Sequence, residues 1–221
     1  MNIFRKILVN ILRSTASRYY QGARLTKAKA PDNPLALFEE WFSLATEVDP
    51  EWGSSVTLST ATSTAKPSNR LVLLKGYDNN GFVFFTNYNS RKAQELEENP
   101  NASMVFWWKE TCRQIRIEGT VTRVSARESD EYFATRPRGS KLGAWASKQS
   151  HTLPQRYDLE KRVAELDKKY KDKLVPRPPF WGGYQLTPTV IEFWQGRVDR
   201  LHDRLRYNQE AGKWSIQRLS P

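Results

Sequence analysis

RLVLLKGYDNNGFVFFTNYNSRKAQEL, residues 70–96, decides the fold class, because it packs a strand, a turn, a second strand and a helix start into one short run. Residues 70–75 are mostly Leu and Val, and 82–86 are aromatic or β-branched, the composition of strands. Asp78-Asn79-Asn80-Gly81 between them is turn chemistry, and strands joined by so short a link run antiparallel. Ser90 is a good N-cap, so a helix is expected over 90–98, stopped by Asn99-Pro100.

Outward from this run the same pattern repeats. Strands are expected at 55–62, 102–109, 113–125, 183–195, 201–208 and 213–219. Asp32-Asn33-Pro34 reads as a helix start, and Leu35, Phe38, Trp41, Phe42 and Ala45 then form one apolar face. Further helices are expected at 128–136, 141–148 and 154–170, followed by a basic, proline-rich link over 171–179. Strands in succession with few crossover helices indicate a mainly β protein, an antiparallel barrel with helices packed outside. No internal repeat and no domain boundary interrupt it.

The chain has 221 residues, of which 38% are hydrophobic and 27% charged, enough to bury one ordinary core. No apolar run approaches the ~20 residues that cross a bilayer, so no stable membrane association is expected. One cysteine, Cys112, and two histidines leave no material for a disulfide framework or a cysteine- or histidine-rich metal centre. A reducing compartment follows, and no metal is expected.

The net charge of +11 is unevenly placed. Residues 1–30 carry seven cations and no acid, which leaves +4 for residues 31–221. A nucleic-acid binder wants its basic face on the folded body, so none is expected as a partner. Residues 1–17 read as an extension ahead of a single domain over 18–221. Ile3, Phe4, Ile7, Leu8, Ile11 and Leu12 recur there at helical spacing among Arg and Lys, as in a transit peptide or a surface helix. The expected address is therefore cytoplasmic, or mitochondrial through this segment.

No GxGxxG, Walker loop, HExxH or GxSxG is present, so any phosphate must be held by cations rather than by a glycine cradle. Three places offer them. The helix after Ser90 opens on Arg91 and Lys92 and crowds Glu95, Glu97 and Glu98 toward its end, against the dipole at both ends. A phosphate at its N-terminus would reverse that problem, whereas a solvated surface helix would leave it standing. Tyr132 and Arg136, at i and i+4, share a helix face, and Ser140 is placed to cap the next helix. A strand period over Arg200, His202 and Arg204 would put all three on one face, toward an anion or outward as a soluble edge.

These segments, with RQIRIEGTV (113–121), YFATRPRGSKLGAWAS (132–147) and WGGYQLTPTVIEFWQGRVDRLHDR (181–204), resemble the pyridoxine/pyridoxamine 5'-phosphate oxidase family. The similarity runs from about Tyr19 to the closing QRLSP. It departs at Lys148, where some members carry His, and in a short loop over 208–212. The resemblance implies an FMN-binding split β-barrel of Greek-key type, homodimeric, with flavins at the interface. It implies oxidation of pyridoxine or pyridoxamine 5'-phosphate by dioxygen to pyridoxal 5'-phosphate and hydrogen peroxide. By match to the motifs, FMN would be held by Arg70, Leu71, Val72, Leu73, Phe85, Thr86, Arg91, Lys92, Gln114, Gln149, Ser150, Trp194 and Arg204. Lys75, Tyr132, Arg136 and Ser140 would hold the substrate phosphate, with Arg200, Leu201 and His202 over the pyridine ring and Arg200 and His202 in the catalytic role. The competing readings are a split-barrel flavoprotein with another substrate and a basic β-barrel that binds single-stranded nucleic acid.

Overall fold

The computed structural model describes residues 3–14 and 24–221. Strand β7 (Trp181–Gln195) organises the sheet, because it is long enough to pair with different strands at its two ends. Its first half pairs with β4 (Gly81–Asn87) and its second half with β8 (Asp203–Glu210), while β6 (Arg113–Arg123) runs along its other edge. Pro188 sits in mid-strand, where it cannot donate a ladder hydrogen bond, and the β6–β7 register slips there, between Glu118 and Gly119. A Cβ on Gly119 would lie 2.0 Å from the Thr187 carbonyl oxygen, so the close approach requires glycine.

The remaining strands are β1 (Ser55–Ala61), β2 (Pro67–Leu73), β3 (Gly76–Asp78), β5 (Asn101–Trp108) and β9 (Lys213–Arg218). The path runs β2-β1-β5-β6-β7-β4-β3, all antiparallel, with β8 and β9 branching from β7. Only Leu74 and Lys75 separate β2 from β3 in sequence, so the chain itself joins the two ends of the path. That is the antiparallel barrel read from the sequence.

Alternation along the strands supplies the core. Val56, Leu58, Met104, Phe106, Ile115, Ile117, Ile191, Phe193, Leu205 and Tyr207 all point inward and are fully buried. Helix α2 (Pro34–Val48) begins where expected, with the Asn33 side chain accepting from the Leu35 N–H and Pro34 in the first turn. Its Phe38 ring meets Phe82 and Tyr77 edge-on at 4.9 Å, and Trp41 meets Phe193 at 5.3 Å. Each such aromatic contributes roughly 1.5–3 kcal/mol by burial.

The other helices are α1 (Ile3–Ser14), α3 (Arg91–Glu98), α4 (Ala126–Thr135), α5 (Arg138–Ala146) and α6 (Arg156–Lys169). Helix α1 lies within the segment read as an extension, yet it docks on α2. Val9 is buried against Leu44 and Val48, and Arg5 pairs with Glu47 at 2.8 Å. Phe4, Ile7 and Ile11 remain exposed. No described helix is long and apolar enough to cross a membrane, and no described group of three His, Cys, Asp or Glu side chains is placed to hold a metal.

Several boundaries differ from expectation. Strand β2 starts at Pro67 rather than at 70, because Ser68 and Asn69 pair with β1 although they look like loop residues. Helix α5 starts at Arg138, with Pro137 extended at its cap, so Ser140 stands in the first turn and caps nothing. Ser90 does occupy the N-cap of α3, but its hydroxyl makes no capping bond.

Candidate functional site

A cavity of about 790 Å³ opens between β2, the end of β4, the start of α3, and α5. Its lining includes Arg70, Leu71, Val72, Leu73, Lys75, Phe85, Thr86, Arg91, Lys92, Tyr132, Arg136, Ser140, Gln149 and Ser150, all singled out from the sequence. Ser68, Asn69, Asn87, Gly143, Ala144, Ser147 and Trp181 line it as well and were not anticipated.

The start of α3 forms the most basic part of the wall. Lys92 is buried, and its Nζ donates to Thr86 Oγ1 at 3.1 Å, Ser90 Oγ at 3.2 Å and Gln149 Oε1 at 2.9 Å. Burial, with Arg70 nearby, pulls its pKa down to about 8, and Glu95 partly offsets this. Glu95 is not the careless surface acid that the charge order suggested; it is 3% exposed. Ser68 donates to it at 2.6 Å, Arg91 at 2.8 Å and Arg70 at 3.2 Å, and Thr60 also donates. Burial alone would raise this carboxyl; those donors outweigh it and hold the pKa at about 2.

An aromatic stack makes a second part of the wall. Tyr132 lies flat on Phe85, centroids 4.0 Å apart, and Trp181 extends the stack. Helix α4 comes this close because Gly182 leaves room: a Cβ there would sit 2.1 Å from the Tyr88 hydroxyl and 2.9 Å from Ser129 Oγ. Arg136 lies 4.6 Å above the Trp181 ring. Its Nη1 is buried with no hydrogen-bond partner. Burial lowers the Arg136 pKa, and an unpaired buried guanidinium atom is costly, so the position favours an anion. A donor set of guanidinium, ammonium and hydroxyl groups without an opposing free carboxylate suits phosphate.

The other expected residues lie elsewhere. Gln114, Trp194 and Arg204 are register partners across β6, β7 and β8, joined on β5 by Trp107, which the sequence did not single out, and none of them lines the cavity. They share one face of the sheet, while their neighbours Trp108, Arg113, Gln195 and Asp203 are buried on the other. Arg204 is held by Glu192 at 2.8 Å and by the Ser220 carbonyl at 2.7 Å.

Arg200, His202 and Arg204 do not share a strand face. Asp199 and Arg200 adopt φ of 55° and 59°, which folds the chain into a turn, and β8 starts only at Asp203. The His202 ring rests 4.5 Å from Trp194, and its Nδ1 accepts from the Arg197 N–H at 3.1 Å. Arg200 and Leu201 are exposed. A sequence signal existed for Glu95, four residues after Arg91 on one helix face, but none for its reach to Thr60 and Ser68.

Residues 53–170 match the family described as pyridoxamine 5'-phosphate oxidase. Residues 181–221 match the pyridoxine 5'-phosphate oxidase C-terminal dimerisation region. The pyridoxine/pyridoxamine 5'-phosphate oxidase of a Cyanothece species is 51% identical over 202 residues, covering 91% of this chain and 95% of that protein. The oxidase of the same name from Paraburkholderia phymatum is 54% identical over 190 residues, covering 86% and 89%. Among solved structures, PhzG from Burkholderia lata, in complex with tetrahydrophenazine-1-carboxylic acid, superposes with a TM-score of 0.84 at 33% identity, covering 90% of this chain and 98% of that one. An FMN-binding protein from Nostoc punctiforme, at 16% identity and a TM-score of 0.66 over 90% of this chain and all of its own, shares the split-barrel fold. The chain belongs to the pyridoxamine 5'-phosphate oxidase family.

Proposed function

We propose that the protein is an FMN-dependent oxidase of pyridoxine 5'-phosphate and pyridoxamine 5'-phosphate, with dioxygen as acceptor. The products are pyridoxal 5'-phosphate and hydrogen peroxide, and the amine additionally consumes water and releases ammonia. The observation that carries this reading is one cavity with two groups of cations on different elements. Arg70, Arg91 and Lys92 suit one phosphate, and Lys75 and Arg136 suit another.

FMN, when bound, would supply the two-electron redox chemistry, with dioxygen as the final acceptor. The chain's own residues bind and orient. Lys92, backed by Thr86 and Gln149, and the Arg70 and Arg91 guanidiniums take the FMN phosphate; Leu71, Val72, Leu73, Phe85 and Ser150 line its bed. Arg136 Nη1, Lys75, Ser140 and the Tyr132 hydroxyl take the substrate phosphate. Fixing both phosphates sets the reacting atoms side by side, which is largely an entropic contribution.

The set on the other face completes the site from a second copy. In a homodimer Gln114, Trp194 and Arg204 of one protomer meet the flavin of its partner, and Arg200, Leu201 and His202 meet the substrate. Arg204 would place a cation beside bound FMN and so favour its acceptance of negative charge. His202, with Nδ1 accepting from the Arg197 N–H, has Nε2 left as its donor in the neutral ring.

The test is incubation of the flavin-loaded protein with pyridoxine 5'-phosphate in air, following aldehyde and peroxide together. Equimolar appearance of both, with FMN released on heating, is the expected result. Release of FAD, or no turnover by flavin-loaded protein, would refute the reading.

A further inference from the structure

Glu95 lies behind the phosphate-binding wall and belongs to none of the groups assigned above to FMN or substrate. It is not among the residues that line the cavity, yet it receives hydrogen bonds from Arg70 on β2 and Arg91 on α3, two residues that do. Its remaining acceptor positions are filled by Ser68 and by Thr60 on β1, and the same two hydroxyls accept from Arg70. Arg70 Nη1 is further fixed by the Leu58 carbonyl at 3.2 Å. One buried carboxylate thus ties two strands and a helix to two guanidiniums.

We propose that Glu95 is a positioning residue which sets the aim of Arg70 and Arg91 and matches the charge of the site to a phosphomonoester dianion. The inference rests on the reading of this wall as the FMN phosphate site. Three cations, Arg70, Arg91 and Lys92, less one carboxylate leave two positive charges, and a phosphomonoester near neutral pH carries about −1.5 to −2. A phosphodiester carries one charge and is matched less well. Without Glu95, three cations would share a partly buried wall, and repulsion would turn the guanidiniums outward or strip the proton from Lys92.

Lys92 gives the second handle. The charges that act on it are Arg70 and Glu95, Arg91 precedes it in sequence, and Thr86, Ser90 and Gln149 are its hydrogen-bond acceptors. Its pKa already stands near 8, and of these charges only Glu95 raises it. Removing that charge moves the amine's titration to lower pH. Phosphate affinity, which needs the ammonium, then falls off earlier as pH rises.

The experiment compares wild type with Glu95→Gln, which keeps the shape and removes the charge. Apoprotein is titrated with FMN and with riboflavin, which lacks the phosphate, from pH 6 to pH 9. The expected result is FMN binding weakened about tenfold, the size of one charge-assisted contact, with riboflavin unchanged. The pH at which FMN affinity declines should also be lower in the variant. Equal FMN affinity, or equal loss for FMN and riboflavin, overturns the proposal, the latter because it marks a merely structural role.

Should Glu95→Gln fail to fold, Glu95→Asp decides by the same comparison, since it keeps the charge and draws the carboxylate back from Arg70 and Arg91. Weaker FMN with unchanged riboflavin then supports the proposal, and any other pattern overturns it. Should wild type bind neither flavin, the FMN reading fails on its own. Inorganic phosphate titrated against wild type and variant then tests Glu95 separately, and equal affinities sink it.

Discussion

Lys92 and Arg200 are both cations assigned to one site, and the fold treats them in opposite ways. Lys92 is buried, carries three hydrogen-bond acceptors from its own chain, and faces a cavity whose walls come from β2, β4, α3, α4 and α5. Arg200 sits exposed in a left-handed turn outside that cavity. Arg136 and Phe85 likewise line the cavity, whereas Arg204 and Trp194 do not. Trp107, Trp194 and Arg204 stand in register on a different face. Under the function proposed above, the difference means that one half of the site is built within a protomer and the other half is offered to a neighbour.

The sharpest way to break that comparison is to mix two crippled proteins. Arg136→Ala damages the cavity half and Arg200→Ala the outward half, so at substrate well below the wild-type KM each homodimer should be nearly inactive. In a mixed dimer one site carries both defects and the other carries neither. Co-expressed or reassociated at equal amounts, with about half of the dimers mixed, the pair should recover about a quarter of wild-type activity. Activity no greater than the sum of the separate variants would show that both halves serve one chain, and the comparison would collapse.

The two halves also differ in how well they could be read from sequence. The residues around Lys92 were legible because local rules governed them. Arg91 and Lys92 open a helix, and Tyr132 and Arg136 stand one turn apart, so spacing alone put them on the right faces. The strands and their antiparallel sense followed from turn chemistry and alternation, as at Asp78 to Gly81. The outward half was misread where the local rule gave way to backbone geometry. A period of two needs a strand, and positive φ at Asp199 and Arg200 ends that period before it begins. Glu95 was left open between a phosphate site and a solvated helix for a different reason. Its partners Ser68 and Thr60 lie 27 and 35 residues away, a tertiary contact that helix charge rules cannot contain. Ser140 likewise looked like a cap only because Pro137 was taken as a stop, when it is the entry to α5.

A milder test sharpens the comparison through kinetics on the separate homodimers. Arg136 is assigned to a phosphate gripped alike in ground and transition states, so Arg136→Ala should raise KM by about 1.5–3 kcal/mol with kcat less affected. Arg200 is assigned to the reacting ring, where orientation sets the rate, and Arg200→Ala should lower kcat. Bound flavin, measured first by absorbance, should stay near wild type in both. An unchanged KM for Arg136→Ala, or an unchanged kcat for Arg200→Ala, would reverse the assignment of that half.

The smallest effect belongs to α1, which no described contact joins to either half of the site. Val9 buries against Leu44 and Val48, and its removal exposes all three, at a cost of about 1–2 kcal/mol. The Arg5–Glu47 pair adds little, because its side chains are 41% and 32% exposed and such pairs contribute about 0–1 kcal/mol. The entropy released when the helix is no longer ordered offsets part of the loss. Deleting residues 1–17 should therefore lower Tm by about 2–4 °C, with flavin content and KM unchanged. The Val9→Ala variant should reproduce part of that shift, measured by calorimetry on flavin-loaded protein. A truncated chain that loses flavin would place α1 in the building of the cavity half. A truncated chain with an unaltered Tm would mean that the α1–α2 contact contributes nothing to the fold.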